Sequence, residues 1–177
     1  MQQHICFAHG QESGPWGTKI RSLAEVARKR GWTAESVDFQ GMDDPGERIS
    51  RLLMYCRDFG RPLALAGSSM GGYVATAVAA QIPVRGLFML APAFHVPGYA
   101  DRVPETPACP ITIVHGWRDD MVPWQGSLRY ASSSRARLIL VDGDHRLTAN
   151  LAEIAAFFQT FLDELTFQQE RATDENE

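Results

Sequence analysis

Several features that mark particular classes of protein are scarce or missing in this sequence. The chain has 177 residues with a formal net charge of -4 and contains no run of basic residues, so its composition does not favour binding to nucleic acid or to anionic membranes. The three cysteines are widely separated, which argues against a disulfide framework or a CxxC metal site and predicts reduced thiols. No hydrophobic run reaches the length of a membrane span.

The first residues also lack the marks of a secretory signal. Met-Gln-Gln-His carries no basic region, and the apolar run from Ile5 to Ala8 is too short for the hydrophobic part of a signal peptide. We therefore expect a cytoplasmic protein without a nucleic-acid or membrane partner. The sequence does not determine the oligomeric state.

The most informative stretch present is a Gly-x-Ser-x-Gly sequence at residues 67–71, in which Ser69 is the central serine. An apolar run, Leu63 to Ala66, precedes it and predicts a strand, and the segment from Met70 to Gln81 predicts a helix. This is the setting of a nucleophile elbow, in which a serine on a tight strand-to-helix turn exposes its Oγ at the carboxyl edge of a sheet. Taken alone, the stretch also fits a glycine-rich turn without chemistry.

Short apolar runs alternate with helical patterns along the chain about six times, without a repeat or a linker. The strands are predicted at His4–Ala8, Thr33–Phe39, Leu63–Ala66, Val84–Leu90, Ile111–Val114 and Leu138–Val141. The helices are predicted at Pro15–Arg30, from Pro45 until Gly60, and at Met70–Gln81, Trp124–Ser132 and Leu151–Leu165. This alternation predicts an α/β fold with one mostly parallel sheet of about six strands and helices on both faces.

Two segments lie outside this alternation. Ala91 to Pro110 carries five prolines and no helical period, which predicts a surface loop rather than an inserted domain. The end of the chain is polar and acidic, so we expect one domain over residues 1–167 and a disordered tail over 168–177.

A serine hydroxyl needs a base within hydrogen-bond distance and an acid that orients this base. The later chain offers candidates for both, since Asp119 and its neighbour Asp120 follow the penultimate strand and His145 follows the last strand. The order Ser, Asp, His is the one associated with α/β-hydrolases. Parallel sheets place their sites at the carboxyl ends of strands, where all of these residues fall.

On these motifs the chain resembles the small, single-domain serine α/β-hydrolases, a group of lidless, esterase-like bacterial proteins. The family pattern HG-x-x-D-x-x-V-P is matched from His115 to Pro123, and it favours Asp119 over Asp120 as the acid of the catalytic triad. The Gly-Asp-His that ends at His145 resembles the histidine loop of the family. The resemblance implies a minimal α/β-hydrolase fold without a cap domain, and a triad of Ser69, Asp119 and His145.

The first strand ends in a sequence that resembles the family's oxyanion loop, His9-Gly10-Gln11. The resemblance implies that the backbone N–H groups of Gln11 and Met70 form the oxyanion hole. The sequence departs from the pattern at Glu12, because a carboxylate close to the hole would oppose the oxyanion unless it faces solvent or forms an ion pair. His9 and His115 both precede glycine at strand ends, so we expect them to shape loops rather than to act as the base.

The resemblance implies a serine hydrolase that cleaves a small, short-chain ester or thioester through an acyl-Ser69 intermediate. No cofactor is required by this chemistry, and no pair of candidate ligands has metal-site spacing on one element. The expected partner is a small-molecule acyl substrate, with substrate contacts at Trp16, Phe94, His95 and Met121. Two alternatives stay open, namely an amide-bond hydrolase with the same triad and a binding or regulatory protein on the same scaffold.

Overall fold

The computed structural model of this chain describes residues 2–96 and 103–174. The strands are β1 His4–Ala8, β2 Thr33–Val37, β3 Ala64–Ser68, β4 Gly86–Leu90, β5 Ile111–Gly116 and β6 Arg137–Val141. The helices are α1 Thr18–Lys29, α2 Pro45–Phe59, α3 Met70–Ala79, α4 Trp124–Ser134 and α5 Leu151–Asp174, with a short 3₁₀ helix at Thr148–Asn150.

The six strands form one sheet in the order β2-β1-β3-β4-β5-β6, and every neighbouring pair is parallel. Parallel neighbours require a crossover connection, and helices supply most of these crossovers. The predicted α/β class and parallel sheet are confirmed.

Helices pack on both faces of the sheet. Successive side chains of a strand point to opposite faces, so the residues of one strand contribute to two cores. In β1, Ile5 and Phe7 belong to a core that also contains the buried residues of α1 and α5. Cys6 and Ala8 belong to a second core that contains buried residues of α2, α3 and α4. Helices therefore cover both faces, as the sequence predicts.

The last helix extends beyond its predicted end. The sequence predicts a helix ending at Leu165 and disorder from residue 168, whereas α5 continues to Asp174. Residues 168–174 contain neither glycine nor proline and include several good helix formers. The Arg171 guanidinium also lies 5.9 Å above the ring of Phe167, one turn earlier. Residues 175–177 of the predicted tail lie outside the described residues.

None of the described helices combines the length and the apolar character that crossing a bilayer requires. The connection between β4 and β5 contains neither helix nor strand over residues 91–96 and 103–110, and residues 97–102 lie outside the description. No cap domain is evident in the part of the chain that the structure describes.

The order of the strands determines where a site can form. The chain proceeds from β1 to β2 on one side and then returns to place β3 on the other side of β1. The loops after β1 and β3 therefore diverge to opposite faces and leave a crevice at the carboxyl edge of the sheet. These two loops contain the predicted oxyanion residue Gln11 and the predicted nucleophile Ser69.

Candidate active site

Ser69 occupies a tight turn between β3 and α3. Its backbone has a positive φ of 55° with ψ of -121°, a conformation that costs energy for a residue with a side chain. A side chain at Gly67 would overlap the backbone of Gly71, and one at Gly71 would overlap the backbone of Ala8. The elbow geometry therefore requires glycine at both positions that the motif provides.

The three residues of the predicted triad lie together although they are far apart in sequence. Ser69 Oγ is 3.1 Å from His145 Nε2, and His145 Nδ1 is 2.7 Å from Asp119 Oδ2. An ionised carboxylate only accepts hydrogen bonds, so Nδ1 carries the proton and donates it to Asp119. His145 Nε2 is then left to accept the hydrogen of the Ser69 hydroxyl.

The Asp119 carboxylate is fully buried and held on both of its oxygens. Oδ1 accepts the N–H groups of Met121 at 3.0 Å and of Val122 at 2.8 Å, while Oδ2 also lies 3.0 Å from His115 Nε2. Burial by itself would raise the pKa of Asp119, but hydrogen bonds from His115, His145 and Val122 hold this pKa well below its usual range. Asp120, the alternative acid, is exposed. The geometry thus pairs His145 with Asp119.

The predicted oxyanion donors lie beside Ser69. A side chain at Gly10 would lie 3.5 Å from Ser69 Cβ, which shows how closely the loop after β1 approaches the serine. Met70 begins α3, so its N–H lacks an intrahelical acceptor and lies at the positive end of the helix dipole. Within residues 2–96 and 103–174, neither the Gln11 N–H nor the Met70 N–H donates to a protein acceptor. Both groups are therefore free to bind an anionic oxygen.

A cleft of about 550 Å³ surrounds Ser69 and His145. Of the four residues predicted to contact substrate, Met121 lines this cleft and is 55% exposed. Residues that the sequence analysis did not single out for substrate contact also line it, including Val96, Arg146 and Thr148.

The other three predicted contact residues do not line the described cleft, which corrects the sequence interpretation. Phe94 is buried in the core with its ring centroid 4.4 Å from that of Tyr130. Trp16 is partly exposed, with the guanidinium of Arg28 above its ring. His95 is half-buried on a residue with positive φ. Their positions near strand ends predicted contact with the cleft, but Phe94 packs in the core and Trp16 packs against Arg28.

Charged groups border the cleft. Lys19, which sequence analysis did not assign to the site, donates a hydrogen bond to the His145 carbonyl oxygen at 3.3 Å. Burial lowers the pKa of Lys19 to about 8, although Asp119 and Asp144 oppose this shift. Glu12 is exposed and forms no salt bridge with any described residue. No group of three or more histidine, cysteine or acidic side chains in the described ranges is placed to hold a metal ion.

Comparisons with known proteins agree with this fold. A family model described as an alpha/beta hydrolase domain matches residues 1–156. A protein from Xanthomonas campestris pv. campestris, assigned to the alpha/beta superfamily of hydrolases, is 37% identical and superposes with a TM-score of 0.86, covering 93% of this chain and 99% of that one. A search of curated proteins found no match.

Two more distant structures share the fold. Alpha/beta hydrolase domain-containing protein 10 from mouse is 23% identical with a TM-score of 0.79, over 92% of this chain and 90% of that one. Est1E from Butyrivibrio proteoclasticus is 16% identical with a TM-score of 0.80, over 93% of this chain and 88% of that one. With the family model covering most of its length, the chain belongs to the alpha/beta hydrolase family.

Proposed function

We propose that this protein is a serine hydrolase that cleaves a small, short-chain carboxylic ester or thioester through an acyl-Ser69 intermediate. The observation that carries the proposal is the hydrogen-bonded series from Ser69 Oγ to His145 at 3.1 Å and from His145 to Asp119 at 2.7 Å. This series supplies the base and the orienting acid that a serine nucleophile needs. Membership of a hydrolase family supports the same conclusion.

Each residue has a distinct role in the proposed reaction. As Ser69 Oγ bonds to the acyl carbon, its proton moves to His145 Nε2 and the carbonyl π pair moves onto oxygen. The N–H groups of Gln11 and Met70 stabilise this oxyanion, at about 3 kcal/mol for each donor. Collapse of the intermediate expels the alcohol or thiol, which takes the proton from His145. Asp119 stays ionised and stabilises the imidazolium.

The second half of the reaction reuses the same groups. Water attacks the acyl-Ser69 carbonyl carbon and gives a proton to His145. The new oxyanion is stabilised by the same two N–H donors. Collapse then breaks the bond to Ser69 Oγ, which recovers its proton from His145. The carboxylic acid is released and the free enzyme is restored, with no cofactor consumed.

A panel of p-nitrophenyl esters beside aminoacyl p-nitroanilides tests the proposal. We expect the esters to be hydrolysed and the anilides to be cleaved far more slowly or not at all. Faster cleavage of the anilides would assign the triad to amide hydrolysis instead. Turnover of neither class would favour a binding or regulatory protein on the hydrolase scaffold.

Short acyl chains are expected to be preferred. The described part of the β4–β5 connection has no helix that could cover the cleft. A longer chain gains about 0.8 kcal/mol for each methylene that becomes fully buried, and this gain ends where the chain leaves an open site. We therefore expect kcat/KM in a p-nitrophenyl ester series to peak at roughly two to six carbons.

The same ester series, measured below and above the solubility limit of each ester, provides the control. An enzyme without a lid has nothing for a lipid surface to open, so the rate should not jump when micelles form. A steady rise to twelve carbons, or such a jump, would show that residues 91–110 act as a lid.

Activity is expected to fall in acid as a single protonation step. His145 must be neutral to accept the proton of Ser69. Asp119 does not contribute a second step, because its pKa lies well below its usual range and the carboxylate stays ionised wherever histidines titrate. A plot of log kcat/KM for a neutral ester should therefore rise with pH with a slope of one and then level off. A flat profile from about pH 5 to 8, or a slope of two, would contradict these assignments.

A further inference from the structure

Arg48 is a charged residue at a position where the fold would ordinarily place an apolar one. It lies on α2 in the same buried stripe as Leu52 and Cys56, and only 1% of it is exposed. Its guanidinium lies 5.5 Å from the centre of the Phe39 ring. Burial of a charged group is costly unless the group is well hydrogen-bonded, so the contacts of Arg48 indicate why this position tolerates it.

The guanidinium of Arg48 donates to main-chain carbonyls rather than only filling space. Nε donates to the carbonyl oxygen of Met42 at 2.6 Å. Nη1 lies 3.3 Å from the carbonyl oxygens of both His9 and Gly10. Of these acceptors, the His9 and Gly10 oxygens belong to the loop that follows β1, and the Met42 oxygen belongs to the loop before α2.

The Gly10 carbonyl has a second donor. His9 Nδ1 is 2.7 Å from this oxygen, and His9 Nε2 accepts the Phe39 N–H at 2.8 Å. Because Nε2 accepts, the ring hydrogen must be on Nδ1, which donates to Gly10. Burial lowers the pKa of His9, which keeps the ring neutral in this arrangement. The Gly10 oxygen thus receives hydrogen bonds from a histidine and from an arginine.

The direction of the Gly10 carbonyl sets the direction of the next N–H. The carbonyl of Gly10 and the N–H of Gln11 belong to one planar peptide unit, and the described residues contain no cis peptide bond. In a trans unit these two groups point in opposite directions. Donors that hold the oxygen on the α2 side therefore aim the Gln11 N–H away from α2. A positive group at the oxygen also polarises the amide and strengthens its N–H as a donor.

We propose that Arg48 is a positioning residue of the oxyanion hole, which acts by holding the Gly10–Gln11 peptide so that the Gln11 N–H points at the reacting oxygen. The inference rests on the proposed acyl-transfer function. It assigns a role in the reaction to a side chain on α2, a helix that carries none of the proposed catalytic groups.

The test is Arg48→Met, measured on folded protein below its unfolding temperature. Loss of one oxyanion donor costs about a hundredfold or more in kcat, so misdirecting one should lower kcat by roughly ten- to a hundredfold. KM should change by less than about threefold, because the donor is used mainly in the transition state.

The affinity for an inhibitor that forms an oxyanion should fall together with kcat. The carbonyl carbon of a trifluoromethyl ketone bonds to Ser69 Oγ and its oxygen becomes an oxyanion, so the affinity of the Arg48→Met variant for this inhibitor should fall by about the same factor as kcat. The affinity for the matching methyl ketone should be nearly unchanged.

A matched control is available at the opposite end of the sheet. Arg85 also donates to a main-chain oxygen, that of Leu165 at 2.7 Å, and lies 5.2 Å from the centre of the Trp32 ring. Arg85→Met should lower thermal stability without altering kcat or the ratio of the two ketone affinities. Arg48→Lys is the second variant if Arg48→Met does not fold, since it keeps the charge but loses the planar fork.

The outcomes separate this inference from the proposed function. A wild-type enzyme without esterase activity would overturn the proposed function itself. An active wild type together with a folded Arg48 variant that keeps its kcat and its ketone ratio would overturn only the role of Arg48. A loss of kcat in which both ketones weaken equally would also overturn it, because a purely structural defect predicts that result.

Discussion

Ser69→Ala is expected to lower kcat/KM for a short p-nitrophenyl ester by roughly a hundred-thousandfold or more, because the variant cannot form the acyl-enzyme. The remaining groups would still offer the two oxyanion donors, so a small residual rate over the uncatalysed reaction is expected. Initial rates with wild type and variant at equal concentrations of folded protein measure the effect. The substitution removes one hydroxyl that is hydrogen-bonded to His145, so the fold should survive it.

Ser68→Ala provides the matched control. Ser68 is the last residue of β3 and is 6% exposed, in contrast to Ser69, which is partly accessible beside His145. Its replacement should leave kcat/KM within about tenfold, since only the central serine of the motif faces the base. Activity retained without Ser69 and lost without Ser68 would refute the choice of nucleophile.

Asp119→Asn is expected to lower kcat on the order of ten-thousandfold. An amide cannot stabilise the imidazolium that forms when His145 takes the proton of Ser69. Its NH₂ group also favours the tautomer with hydrogen on Nε2, and that tautomer cannot accept from the serine. Rates at saturating ester, compared between wild type and variant, measure the loss.

Asp120→Asn is the control for Asp119→Asn. Asp120 is adjacent in sequence but exposed, so its replacement should change kcat by only a few-fold. Asp119 also accepts two backbone N–H groups through Oδ1, so thermal unfolding of both variants is needed to separate lost chemistry from a distorted loop. If Asp120→Asn caused the larger loss in well-folded protein, the acid would have to be reassigned.

Much of the fold followed from patterns that depend on local physics. Apolar runs of strand length alternating with amphipathic helices predict a parallel sheet, and the structure has six such strands. The motifs that contain Ser69, Asp119 and His145 all follow strands, and the carboxyl ends of parallel strands meet at one edge of a sheet. The sequence therefore predicts that these three residues lie close together, and in the structure they are joined by hydrogen bonds.

Other features could not be predicted because they depend on side-chain direction. Phe94, Trp16 and His95 lie near the correct strand end, but whether they reach the cleft depends on backbone angles that composition does not reveal.

The helical continuation of α5 to Asp174 could not be predicted for a different reason. This segment is polar, and such a composition is as typical of an exposed helix as of a disordered tail.

The position of Arg48 in the sequence could have indicated that its side chain is buried. Arg48 precedes Leu52 and Cys56 by one and two turns, so it occupies the apolar stripe of α2. A charged residue in such a stripe indicates a buried polar contact. The partners of that contact, carbonyls of the loop after β1, are set by tertiary packing.

The most direct test of the central claim is reaction with a fluorophosphonate, followed by intact mass and peptide mapping. If Ser69 is a nucleophile activated by His145, the wild-type protein should gain one phosphonyl group per chain, located on Ser69, and the Ser69→Ala variant should gain none. Labelling should be lost when the wild-type protein is unfolded first. A folded wild-type protein that stays unlabelled, or a label on any other residue, would contradict the assignment of Ser69 as the nucleophile.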